Sequence, residues 1–214
     1  MDIYNIRPNL IIGFHGCDLK VRNELVNKPD TIKISEKSFD WLGHGFYVWE
    51  NNFDRALSWA NQKKKRKDTP KDFHPSVVGV LYQLDYCLDF TNSHFINLLP
   101  VYYDLFKADM QNAGSPLPTN NDIVADVHKD RVLRELDCAV IEYMHNKIYE
   151  AQKADIQDKG YSEIRRFDTV RGIFTEGGPA FEGAGIQAKN HIQICIKNLN
   201  CIKGFFIPRK AVAF

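Results

Sequence analysis

The sequence has no apolar run approaching the roughly 20 residues that a helix needs to cross a bilayer, so no membrane span is expected. Its opening residues, Met1-Asp2-Ile3-Tyr4, carry no basic region followed by an apolar stretch, and no signal peptide is expected there. Cysteine is sparse: Cys17, Cys87, Cys138, Cys195 and Cys201 are five, widely spread, and contain no CxxC pair. An odd, scattered set in apolar surroundings reads as reduced core residues of a cytoplasmic protein, not as a disulfide framework or structural zinc site. Neither sign of charge dominates. With 28 Lys and Arg against 27 Asp and Glu, the formal net charge of +1 offers no global field for a nucleic acid or an anionic membrane. The sequence also lacks GxSxG, HExxH and GxxxxGK[ST]. His15 and Cys17 have no third and fourth partner at metal-ligand spacing, and no metal is expected.

What is present is enough for one sizeable core. The chain has 214 residues, 44% of them hydrophobic, with 14 Phe and 9 Tyr. Residues 9–14 form a short apolar run that predicts a buried strand. Val21, Leu25 and Val26 repeat at helical spacing behind Asp18, which can cap them. A short strand is expected over Thr31–Ser35 and another over Trp41–Trp49. Asn51-Asn52 then offers a cap to a helix carrying Phe53, Ala56, Leu57 and Ala60. Its end, Lys63-Lys64-Lys65-Arg66-Lys67, suits the helix dipole and reads as a solvated basic terminus. Val77–Phe90 predicts a strand or hairpin arm. Ser93 can cap a helix to about Met110, bent or broken at Pro100. Val132, Leu136, Ala139, Val140, Tyr143 and Met144 make an amphipathic helix. Strand character returns at Phe167–Phe174, Ile192–Ile196 and Cys201–Ile207. Strands, then helices, then strands imply an α+β fold in one domain, 1–214, with a mainly helical insert over about 93–160.

Three segments carry candidate chemistry. In Phe14-His15-Gly16-Cys17 a histidine ends a strand, and the following glycine leaves its backbone open to a ligand. Gly43-His44-Gly45-Phe46-Tyr47 places an aromatic strand after a tight turn, with Tyr47 offering a ring for stacking. In Asn190-His191-Ile192-Gln193-Ile194-Cys195-Ile196, alternation puts Gln193 with His191 and Cys195 on a semi-exposed face and the isoleucines in the core. Each segment alone also fits a plain structural role: a core histidine, a hairpin tyrosine, a polar strand face.

In this order, His15-Gly16, Ser35, Gly43-His44-Gly45-Phe46-Tyr47, Ala56, Trp59-Ala60 and Gln193 together resemble the ADP-ribosyltransferase superfamily. The similarity is to the diphtheria toxin and poly(ADP-ribose) polymerase branch, and within it to short bacterial members of uncharacterised role. The resemblance implies a split antiparallel β-sandwich with a helical segment between the N- and C-terminal strands, and NAD as substrate. It implies that His15 bonds the adenosine-side ribose and that the backbone of Gly16 holds the nicotinamide amide, helped by Ser35. Tyr47 would stack on the nicotinamide ring behind Gly45, and Gln193 would bond the ribose 2-hydroxyl. In the family an acidic residue commonly occupies the last position, so Glu176 or Glu182 in the preceding glycine-rich loop is a candidate for the missing carboxylate. Phe181 in that loop is a candidate contact for the target. The implied activity is mono-ADP-ribosyl transfer from NAD to a macromolecule, protein or nucleic acid, as in a bacterial toxin or conflict effector. A catalytically silent NAD or ADP-ribose binder and an NAD glycohydrolase are the alternatives. A third reading makes the helical middle a partner-binding insert of a toxin regulated by an antitoxin.

Overall fold

A computed structural model describes residues 6–7, 10–123 and 126–210; residues 1–4 and Asn9, at the start of the first expected strand, lie outside them. In chain order the elements are β1 (Ile6–Arg7), β2 (Ile11–Asp18), α1 (Leu19–Asn27), β3 (Phe46–Glu50), α2 (Phe53–Lys64), β4 (Pro75–Tyr82), β5 (Asp85–Asp89), α3 (Ser93–Ile96), α4 (Leu98–Asn112), β6 (Asn120–Asn121), β7 (Leu133–Arg134), α5 (Glu135–Lys159), β8 (Thr169–Phe174), β9 (His191–Ile196) and β10 (Ile202–Phe206). The fold is α+β.

The helix starts follow their caps. The Asp18 carboxylate accepts from Lys20 N at 2.7 Å, and the Asn52 side chain accepts from Arg55 N at 3.0 Å. Elsewhere the local signals shift. Asn92, not Ser93, caps α3, and the helical run breaks at Asn97, so Pro100 falls in the first turn of α4, where its missing N–H costs little. Thr31–Ser35 does not form a strand; Ser35 keeps only two backbone bonds, to Gly45 N and Gly45 O. The aromatic strand starts late, at Phe46, because Gly43 takes φ +81° in the turn before it. Val77–Phe90 divides into β4 and β5, which join different halves of the sheet.

Eight strands pair in the order β1-β5-β8-β9-β3-β2-β4-β10, antiparallel except for β5 with β8. β2 runs against β4 over eight residues, from Ile11↔Tyr82 to Asp18↔Pro75. Against β3 it pairs only at Gly13↔Glu50 and Phe14↔Trp49. Beyond Phe14 the two strands part, dividing the sheet into β2-β4-β10 and β3-β9-β8-β5-β1. Both halves contribute to one core: Val78, Val80 and Tyr82 from β4 meet Phe46 and Val48 from β3 and Ile194 and Ile196 from β9, with Leu25 of α1 covering one side.

The helical segment covers the opposite face of the second half. Leu88, Val170 and Cys195 pack there with Phe95 of α3 and Met144 of α5. This corrects the expected semi-exposed face of β9: Cys195 is completely buried and His191 nearly so, leaving only Gln193 half-exposed on that side. The helices folding back cover Cys195, and Phe174 and Trp49 cover His191, so tertiary packing rather than strand periodicity decides it. All five cysteines are free and buried.

One buried cation in β8 ties the ends of β3 and β5 to it. The Arg171 guanidinium on β8 donates to both Glu50 oxygens, at 2.8 and 3.1 Å, to Asp89 at 3.2 Å and to Thr91 Oγ1 at 3.1 Å. These hydrogen bonds, Glu50's foremost, raise its pKa. Removing one member of such a cluster leaves buried charge uncompensated. Arg171→Met is therefore expected to lower stability by about 3–5 kcal/mol, read from urea unfolding midpoints.

Candidate functional site

The parting strands enclose a cavity of about 830 Å³. Its walls include His15, Gly16 and Cys17 from β2, Ser35 and Gly45 from the bridged loop, Tyr47 and Trp49 from β3, and Gln193 from β9. All six residues singled out by the sequence, His15, Gly16, Ser35, Gly45, Tyr47 and Gln193, thus line one space although their chain positions span most of the protein.

His15 stands where the β2–β3 ladder stops. Continued register would place Gly16 opposite Tyr47. Instead the imidazole bridges the gap, with Nδ1 2.7 Å from Tyr47 O. A carbonyl only accepts, so Nδ1 carries the proton. Burial depresses the imidazole to about 4, which keeps it neutral near pH 7. Nε2 is then a lone-pair acceptor, suited to a hydroxyl donor. The ring stacks on Phe46 at 4.6 Å.

Gly16 has a packing role, and the space its missing side chain leaves is taken up by α2. A Cβ there would lie 2.2 Å from Ala56 O, so only glycine lets α2 lie on β2. Cys17 beside it is a thiol held protonated, since burial raises it to about 12.

Tyr47 is fixed at both ends of its phenol. Its hydroxyl donates to Gly43 O at 2.7 Å and accepts from Leu42 N at 2.9 Å. Burial raises its pKa, so the ring is a neutral, clamped surface. The turn that clamps it is itself held by α5: Glu142 accepts from His44 N at 2.7 Å and pairs with Lys197 at 2.6 Å.

Gln193 has a partner that sequence reasoning missed. Trp41 Nε1 donates to Gln193 Oε1 at 2.6 Å. An indole N–H only donates, so the carboxamide is oriented: the oxygen faces Trp41, and Nε2 has no protein partner among the described residues. Trp41 is seated by the absence of a side chain at Gly172, whose Cβ would lie 2.8 Å from the indole, and by Phe174 and Arg134, 5.0 and 5.2 Å from its ring. Nothing local in Phe39-Asp40-Trp41-Leu42 signals a partner 152 positions away.

Glu176 and Arg55 form an ion pair in the cavity wall, a second feature not legible in the sequence. Glu176 lies in the cavity, as one of the two loop acids considered for it, but its charge is engaged by Arg55. Glu182 lies outside that wall and is exposed. Two buried donors in the wall, Arg55 Nη1 and Trp49 Nε1, have no acceptor among the described residues. The glycine-rich loop is closed by Pro179 bridging Gln187 and by Gly177 N donating to Asp130 at 2.8 Å; Phe181 projects from it, 69% exposed.

Among the described residues no helix is long and apolar enough to cross a membrane, and no group of three or more His, Cys, Asp or Glu could hold a metal ion. No family model, curated protein or solved structure matches the chain.

Two outcomes are expected. Burial depresses His15 and His191 to about 4 and His145 to about 3, against about 6.5 in an unfolded chain. Between those values the unfolded state binds more protons, so this contribution is present above pH 6.5 and is lost as pH falls towards 4. Each histidine adds a slope of up to about 1.4 kcal/mol per pH unit; melting temperatures across this range should fall, and less steeply in His15→Gln. Separately, the indole N–H resonance of Trp41, assigned by its loss in Trp41→Phe, should move downfield in Gln193→Glu and titrate with the new carboxylate. An unmoved resonance would show that the two side chains do not meet.

Proposed function

We propose that this protein is an NAD-dependent mono-ADP-ribosyltransferase with a split-sheet ADP-ribosyltransferase fold. The observation that carries the reading is the convergence of a neutral His15, a clamped Tyr47 and an oriented Gln193 on one cavity at the point where two strands part. Its volume of about 830 Å³ falls in the upper part of the ligand-site range of about 300–1,000 Å³, as a dinucleotide requires.

In this reading Tyr47 stacks on the nicotinamide, and Gly16 and Ser35 hold its amide. His15 Nε2 accepts from a hydroxyl of the adenosine-side ribose. The bond between ribose C1 and the pyridinium nitrogen breaks with both electrons going to nitrogen, so nicotinamide leaves neutral and positive charge develops on the ribose. A nucleophile of the acceptor gives its lone pair to C1 and its proton to solvent. Gln193 positions the ribose by donating from Nε2 to a hydroxyl oxygen, because Oε1 is engaged by Trp41. A neutral donor does not stabilise the oxocarbenium as a carboxylate does, and the loss is on the order of 1–2 kcal/mol, about tenfold in rate. This suits single-unit transfer.

The same engagement of Gln193 Oε1, together with the pairing of Glu176 with Arg55, favours one alternative: a module that binds NAD or ADP-ribose without turnover. Nicotinamide release from NAD, with and without cell extract, separates the readings. Release only with extract supports transfer, release without it supports hydrolysis, and binding without release supports the module. His15→Ala and Tyr47→Ala should each weaken NAD binding by about 1–3 kcal/mol. Gln193→Ala should lower turnover more than affinity, and Gln193→Glu should raise turnover. Unchanged NAD affinity in a folded His15→Ala/Tyr47→Ala variant would remove the assignment.

A further inference from the structure

The helix behind β2 presents one face to the cavity. Arg55, Trp59, Gln62, Lys63 and Arg66 all line it and recur at helical spacing along α2 and its C-terminal end. Lys33 and Lys37, from the loop that leads to the Ser35 bridge, line it as well. Among the described residues, Arg55 pairs with Glu176, but Lys33, Lys37, Lys63 and Arg66 are within ion-pair distance of no carboxylate.

Lys63 is the centre of this group. It is half-buried, with Nζ 5.1 Å from the Trp59 ring and 5.6 Å from the Phe73 ring. Arg66 lies over Trp59 at 6.0 Å. Burial, then Lys37 and Arg66, lower the Lys63 pKa, so the fold holds a partly desolvated ammonium beside two like charges. The acids of the same wall do not answer it. Asp18 accepts from Lys20 N and His74 N, Asp40 accepts from Lys37 N, Glu24 forms no ion pair among the described residues, and Asp68 only partly offsets the lowering of Lys63. Lys63 is close enough to His15 to depress it further, and His15 is neutral. An unpaired, mutually repelling set of cations on a concave wall attracts a compact polyanion.

We propose that Lys63, with Lys37 and Arg66, forms a subsite for the diphosphate of a dinucleotide, next to His15. The inference rests on the NAD reading for its ligand, and its chemistry is that of a diphosphate ester. Lys63 supplies a charge over an aromatic floor, and Lys37 and Arg66 close over the anion from the rim.

The test measures binding by calorimetry of ADP-ribose, adenosine and inorganic diphosphate to the wild type, Lys63→Met, Lys63→Arg and Arg66→Gln. Lys63→Met keeps the apolar stem on Trp59 and Phe73 and removes the charge. The expected result is a loss of about tenfold or more for ADP-ribose in Lys63→Met, a smaller loss in Arg66→Gln, recovery in Lys63→Arg, and no change for adenosine. Equal losses for ADP-ribose and adenosine, or none for either, would overturn the subsite. Should inorganic diphosphate bind through Lys63 while ADP-ribose binds no tighter, the subsite stands and the dinucleotide reading fails. Absence of binding by all three to the wild type would overturn both. Arg66→Gln, a change at an exposed position, keeps the comparison informative if Lys63→Met does not fold.

Discussion

Where β2 leaves β3 after Phe14, each strand has backbone groups no longer paired with the other, and His15 closes part of that gap with its own side chain. The bond from Nδ1 to Tyr47 O fixes three things together. It sets the tautomer of the imidazole, it holds the two half-sheets at a constant separation, and it aligns the start of β3 with the end of β2. The cavity exists because these strands stop pairing, and Gly16 lets α2 pack closely against β2 along its wall. The residues with chemical character therefore surround an interruption in regular structure.

Around that interruption the fold uses polar contacts between distant elements to orient single side chains. Tyr47 is clamped by Leu42 and Gly43, and their turn is held by Glu142 from α5. Gln193 is oriented by Trp41, which depends on Gly172 for its seat. Arg171 gathers Glu50 and Asp89 behind the same strands. A site whose groups are fixed before a ligand arrives loses little ordering entropy on binding. The helical segment is part of this apparatus, since it buries Cys195 of β9 and restrains the turn before Tyr47.

The two walls of the cavity differ in character. The Gln193 side is aromatic and neutral or paired, with Trp41, Phe174 and His191 beside the Arg55–Glu176 pair. Along α2, Arg55 belongs to that pair, whereas Lys63 and Arg66 are within ion-pair distance of no carboxylate among the described residues. A ligand with a flat heterocycle at one end and phosphates at the other matches this polarity. The basic stretch at the end of α2 read as a solvated helix terminus in the sequence, and Lys64, Lys65 and Lys67 are exposed as expected. Lys63 differs in being half-buried against Trp59 and Phe73, and Arg66, though exposed, lies over Trp59 at the cavity wall.

Much of this protein could be read from its sequence. Caps at Asp18 and Asn52, the helical spacing of α2 and α5, and the apolar runs of β2, β4, β8 and β9 are local properties, set by backbone geometry and side chains a few residues apart. They gave the element order, the α+β class and the three segments that supply His15, Tyr47 and Gln193. What tertiary structure alone decided is which strands are neighbours, where β2 and β3 part, and which groups answer one another. Trp41 meets Gln193 across 152 positions and Arg171 meets Glu50 across 121. The Thr31–Ser35 strand failed to form and the outer face of β9 became buried for the same reason: strand pairing and burial depend on what the rest of the chain places alongside, and neither periodicity nor propensity carries that information.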